Sequence, residues 1–111
     1  MMLRLQITIK LMKKIRLAHP GEILFKEFIA ANHLTVYRVA KDSGVSQPTL
    51  QLITSGKRSI TAETALRLGL YFGIDAQFWL NLQGEYDLRL AREEKLRRIE
   101  REVHPLALKA A

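Results

Sequence analysis

The stretch SQPTLQLITSGKR, residues 46–58, gathers side chains suited to reading a polyanion. Gln47 carries a donor and an acceptor in one amide, the pair that matches an adenine edge, and Thr49 and Leu52 carry methyl groups of the kind that meet a thymine methyl. Lys57 and Arg58 follow as cations for phosphate oxygens. Between Ser43 and Ala62 there is no carboxylate. That local absence says more than the balance of the whole chain, 18 Lys and Arg against 11 Asp and Glu for a net charge of +7, because phosphates flank any helix lying in a groove.

Catalysis has less to work with. His19, His33 and His104 are far apart in sequence, and neither a zinc-binding HExxH nor a phosphate-cradling GxxxxGK[ST] occurs. Ser43, Ser46, Ser55 and Ser59 lie in cap or turn contexts with no base nearby, and Glu22 and Glu27 are most simply a solvated helix face. Cysteine is absent, which removes disulfides and thiolate metal sites. We therefore expect no enzyme activity, no cofactor, no metal and no small-molecule substrate. No run approaches the ~18 apolar residues of a membrane span, and the basic residues scattered through the N-terminus differ from a signal peptide. A cytoplasmic protein without a membrane partner is expected.

The reading residues need a frame, and helical periodicity supplies one. His19-Pro20-Gly21 precedes a first helix of about 21–32, with Leu24, Phe28 and Ala31 recurring and Ile23 beside them. Thr35 suits the N-cap of a second helix, about 35–42, whose inner face is Val36, Val39 and Ala40; Gly44 suits the turn after it. Ser46 caps a third helix, 47–54, in which Pro48 is tolerated because a first-turn N–H has no partner to lose. At about 100° per residue, Leu50 and Ile53 share the core face while Leu52 points away with Gln47, Pro48 and Gln51. Thr61 caps a fourth helix with the stripe Ala65, Leu66, Gly69 and Phe72, stopped by Gly73. Asp75 caps a fifth, with Phe78, Leu82 and Tyr86 on one face and Asn81 and Gln83 on its wetter side. Beyond it, Leu96, Ile99 and Val103 recur in a charged run with Glu93–Arg97 and Glu94–Arg98 four apart, ended by Pro105.

Two short helices joined through Gly44 outline a helix-turn-helix, whose second helix enters the DNA major groove. LRLQITIKL, residues 3–11, alternates strictly and reads as a half-buried strand. Everything after it reads as helical, so the strand would pair with a second copy or another protein, or stay disordered. Met12 followed by KKIRLAHPGEIL is an alternative start, in which case residues 1–11 come from upstream.

HPGEIL at 19–24, VAKDSGVSQPTLQLITSGKRSITAETALRL at 39–68 and FGIDAQFWLNLQGEYDL at 72–88 together resemble the HigA-type antitoxins of bacterial toxin-antitoxin operons, within the Xre, or lambda-repressor-like, helix-turn-helix class. The resemblance runs over residues 19 to about 92. It implies an all-α, five-helix lambda-repressor-like domain at 19–92; with the patterns read above, an N-terminal arm at 1–18 carrying the short strand precedes it and a C-terminal helix extension and tail at 93–111 follows. It implies a homodimer that binds double-stranded operator DNA, represses its own operon and neutralises a HigB-type, RelE-like mRNA-cleaving toxin. A stand-alone or phage-type Xre repressor is the alternative. Base contacts would fall at Gln47, Pro48 and Leu52, and backbone contacts at Thr35, Arg38, Ser55 and Lys57; Ser46, Thr49, Gln51 and Arg58 complete the DNA-binding set. Trp79 would serve the core edge or, with Tyr86, a dimer contact. The toxin-holding surface stays open between LRLQITIKL and the first helix.

Overall fold

The computed structural model describes residues 18–107. Five helices and no strands occur among them. The expected N-terminal strand, residues 3–11, and all but the last residue of the 1–18 arm lie outside the described residues.

Helix α1 begins as an α-helical turn, Pro20–Ile23, and continues as a π-helix, Leu24–Ala30. The change of hydrogen-bond pattern alters which side chains face inward. Bonds from i to i+5 place Leu24 and Ile29 on one side, so both are fully buried. Ala31, expected inside at α-helical spacing, is exposed, and Phe28 is half-buried. Helix α2, Val36–Ser43, is capped by Thr35, whose hydroxyl oxygen accepts from the N–H of Arg38. Helix α3, Gln47–Thr54, is capped by Ser46. Helix α4, Ala62–Phe72, is capped by Thr61. Its inner stripe is Thr64, Ala65, Leu68 and Gly69, with Phe72 half-buried. Leu66, expected inside, stands some 160° from Leu68 around the helix and is 58% exposed.

Helix α5, Ala76–Glu102, is one unbroken helix of 27 residues, about 40 Å long. The expected boundary between a domain ending at 92 and an extension starting at 93 falls inside it. The i,i+4 pairs that form along it are Arg89–Glu93 at 3.3 Å and Arg98–Glu102 at 3.6 Å, not the Glu93–Arg97 and Glu94–Arg98 pairs read from spacing. The buried face of α5 is Trp79, Leu82 and Gln83, so the inner stripe is turned one residue from the expected Phe78 and Tyr86.

These faces close over one core. Ile23, Leu24, Ile29, Val39, Leu50, Ile53, Leu68 and Trp79 are all buried, and each large apolar side chain among them contributes about 1.5–3 kcal/mol. An aromatic cluster fills the side where α1, α4 and α5 meet: Trp79 lies 4.7 Å from Phe28 and 5.1 Å from Phe78, and Phe28 lies 5.4 Å from Phe72, centroid to centroid. With no accessible surface, Trp79 has none to offer a second chain; its place is in the core, and the dimer-contact expectation for it is corrected. No described helix is long and apolar enough to cross a membrane.

Candidate nucleic-acid interface

The geometry of the interface starts at the turn between α2 and α3. Gly44 sits at φ 78°, left-handed backbone that suits glycine, and its N–H returns to the carbonyl of Ala40 at 3.0 Å. The guanidinium of Arg67, from α4, lies over this turn: a β-carbon at Gly44 would come within 2.5 Å of its Nη1. The same nitrogen donates to the carbonyl of Ser43 at 3.4 Å. The turn is therefore closed by backbone conformation and by a cation from a distant helix.

Helix α3 is held from below by Leu50 and Ile53, both at 0% exposure. It is also held end-on by α1. A β-carbon at Gly21 would overlap the carbonyl oxygen of Ile53 and stand 2.5 Å from its carbonyl carbon. Only glycine lets the start of α1 approach so near. His19 shapes the same junction: its ring Nδ1 accepts from the N–H of Gly21 at 2.9 Å, making the imidazole the N-cap of α1. The ring packs edge-on against Tyr86 at 4.9 Å and stands beside Gly56, just past the end of α3. Burial pushes the His19 pKa down, against the raising effect of Asp87 and Glu22. HPGE is thus a joint in which cap, first-turn proline and close-approach glycine act together.

Gln47, Pro48 and Gln51 are exposed, and Leu52 is 41% exposed although apolar. The side chains of Gln47 and Gln51 make no hydrogen bond among the described residues. The Thr49 hydroxyl is engaged: its oxygen accepts from Ser46 Oγ at 2.7 Å and from Arg58 Nη1 at 3.1 Å. Arg58 therefore braces the start of α3 from the loop that follows the helix. Ser55 Oγ donates to the carbonyl of Leu52 at 3.1 Å, and the N–H of Lys57 donates to the same carbonyl at 2.8 Å. Lys57 and Arg58 are both exposed. The structure so brings Ser46, Gln47, Pro48, Thr49, Gln51, Leu52, Ser55, Lys57 and Arg58 together on α3 and its flanks.

Arg38 is placed differently. Its Nε donates to Asp42 Oδ2 at 2.6 Å, and Tyr71 donates its hydroxyl to the same oxygen at 3.1 Å. The bond from Arg38 holds the Asp42 carboxyl below its usual range. Arg38 thus stands charge-compensated on α2, and its partner carboxylate lies just outside the acid-free stretch. Thr35 keeps its expected position as the cap of α2. Tyr86 is half-buried between His19 and Arg89, whose guanidinium carbon stands 5.4 Å from the ring centre.

Gln83 is a residue that the sequence placed on the wet side of α5. It is 5% exposed; its Oε1 accepts from the N–H of Ile60 at 2.9 Å and its Nε2 donates to Asp87 Oδ1 at 2.9 Å. The one sequence signal was its spacing, four residues after Trp79 on the same helix face.

A helix-turn-helix family model matches residues 25–79. The Virulence-associated protein I of Dichelobacter nodosus is 48% identical over 77 residues, 69% of this chain and 71% of that protein. A HigA-family addiction module antidote protein from Coxiella burnetii is 42% identical with a TM-score of 0.75, over 80% of this chain and 97% of that one. The chain belongs to the HigA family of helix-turn-helix antitoxins. The Pseudomonas aeruginosa antitoxin HigA, solved with the higBA promoter, is 43% identical with a TM-score of 0.77, over 81% of this chain and 98% of that HigA. The likeness to HigA spans more of the chain than the five helices together occupy.

Proposed function

We propose that the protein is the antitoxin of a type II toxin-antitoxin module: it represses its own operon as a DNA-bound dimer and neutralises a HigB-type, RelE-like mRNA-cleaving toxin. The observation that carries this reading is the likeness to an antitoxin HigA solved on its promoter, joined to an α3 whose outward side chains are unengaged. Helix α3 lies in the major groove. Gln47 reads a base edge, and Leu52 meets the apolar feature that the groove offers, a thymine methyl. Thr35, Ser55, Lys57 and Arg58 line the phosphates, with Arg38 joining them from its pair with Asp42. The second copy docks along α5 at the accessible side of Tyr86, so that two α3 helices face half-sites about 34 Å apart. The protein acts in the cytoplasm by binding and not by catalysis.

Co-expression with the product of the adjacent reading frame tests both halves. Co-purification, rescue of growth from that product, and a mobility shift on the upstream promoter support the reading. A promoter shift without rescue or co-purification would instead make the protein a stand-alone repressor.

A further inference from the structure

We propose that Gln83 is a positioning residue for DNA binding, setting from α5 where Lys57 and Arg58 stand relative to α3. The loop between α3 and α4 is pinned at three places. At its start, the N–H groups of Gly56 and Lys57 bond the carbonyls of Ile53 and Leu52. Midway, Arg58 bonds Thr49 on α3. At its end, the buried N–H of Ile60 has Gln83 Oε1 as its acceptor. The first two attachments tie the loop to α3, and the third ties it to the body of the domain.

A side-chain amide presents a donor and an acceptor of nearly the same shape, so its orientation must be chosen. Asp87 chooses it. An ionised carboxylate only accepts, so it takes the NH₂ end of Gln83 at 2.9 Å and turns the carbonyl oxygen toward Ile60. Asp87 is exposed and Gln83 is buried, so a surface carboxylate orients an interior amide, which fixes a loop carrying two cations. Releasing the Ile60 N–H loosens the backbone at the end of the loop, although the Ile60 side chain stays in the core, and leaves the α3 side chains in place. Phosphate contact should suffer, and base preference should not.

This inference rests on the reading that Lys57 and Arg58 meet phosphates, and the test separates the two. Salt dependence of binding to the upstream promoter duplex is measured for the full chain and three variants. Its slope counts phosphate contacts per bound molecule, and is read at a temperature where circular dichroism shows each variant folded across the salt range. Lys57→Ala with Arg58→Ala should flatten the slope by about two. Gln83→Met should flatten it by about one and weaken binding about 5- to 10-fold with base preference unchanged. Gln83→Glu combined with Asp87→Asn should restore the slope, since the new carboxylate at position 83 would accept both from Ile60 and from the new amide at position 87. Amide hydrogen exchange should show Ile60 losing protection in Gln83→Met while Leu50 and Ile53 keep theirs. A Gln83→Met protein of lower thermal stability but unchanged slope would reduce Gln83 to a structural residue. Unchanged Ile60 protection, or failure of the swapped pair to restore the slope, would equally overturn the proposal. An unchanged slope in the Lys57/Arg58 variant would sink the phosphate reading itself, and the positioning role with it.

Discussion

Gly21 and Gly84 offer one substitution with two opposite outcomes. Both are helical glycines, and by intrinsic propensity alone Gly→Ala stabilises a helix by up to about 1 kcal/mol. At Gly84, in the middle of α5, an added β-carbon meets nothing within 4 Å, so Gly84→Ala should realise most of that gain. At Gly21 the β-carbon overlaps the backbone carbonyl of Ile53. The position of a β-carbon is fixed by its own backbone and no rotamer can move it off the Ile53 carbonyl, so α1 and α3 must part. Overpacking costs about 1–3 kcal/mol and occasionally more; for a rigid contact we take about 3 kcal/mol, leaving Gly21→Ala destabilised by about 2 kcal/mol after the propensity gain. A domain of this size shifts by about 4–8 °C per kcal/mol. Thermal unfolding followed by far-ultraviolet circular dichroism should therefore place Gly21→Ala about 8–16 °C below the wild type and Gly84→Ala a few degrees above it. Because Ile53 belongs to α3, operator affinity should fall for Gly21→Ala and stay unchanged for Gly84→Ala. If Gly21→Ala melts at or above the wild-type temperature, the close approach of α1 to α3 is wrong, and so is the account of HPGE built on it.

Leu52→Arg should move the preferred base at one position of each half-site toward guanine, read by binding-site selection, while stability stays within about 0.5 kcal/mol as for an exposed site; unfolding would mean that Leu52 belongs to the core. Gln47→Ala should relax preference at a single base pair per half-site, and an unaltered selected sequence would remove Gln47 from the reading set. The His19 cap should make stability depend on pH. Its folded pKa lies below the ordinary value because of burial, so the unfolded chain binds the proton more readily. The contribution is complete above the unfolded pKa of about 6.5 and is lost as pH falls through the folded value. Melting temperature should thus decline from neutral toward acid pH, and His19→Asn, which caps without titrating, should remove that share of the decline; an identical pH profile would show that Nδ1 is not the cap.

What the sequence made legible was local. Thr35, Ser46, Thr61 and Asp75 announce helix starts because a capping side chain bonds within two or three residues of itself, and each is found at its cap. The outward position of Leu52 follows from three neighbours on a short helix, so it too was readable. The misplacements come from contacts between elements. Trp79 and Gln83 turn inward because of what α1 and the loop before α4 bring to α5, and no window along α5 contains that information. Ile60 lies 23 residues from Gln83, and Asp42 lies 29 from Tyr71. The π-helical turns of α1 defeat an α-helical template outright, which is why Ile29 and not Ala31 is buried.

The division of labour on α3 has a consequence for how such proteins diversify. Gly21 against Ile53, Arg58 on Thr49, the Ser46 cap and the buried Leu50 and Ile53 hold the helix from its inner side or its ends. Gln47, Gln51 and Leu52 project outward with no side-chain bond to the frame. On the proposed reading, exchanging them changes the promoter while leaving the folding energy nearly untouched, so a duplicated copy could acquire a new promoter through a few outward substitutions without passing through an unfolded ancestor. Relatives of this chain should therefore differ first where they meet DNA and last where they meet themselves.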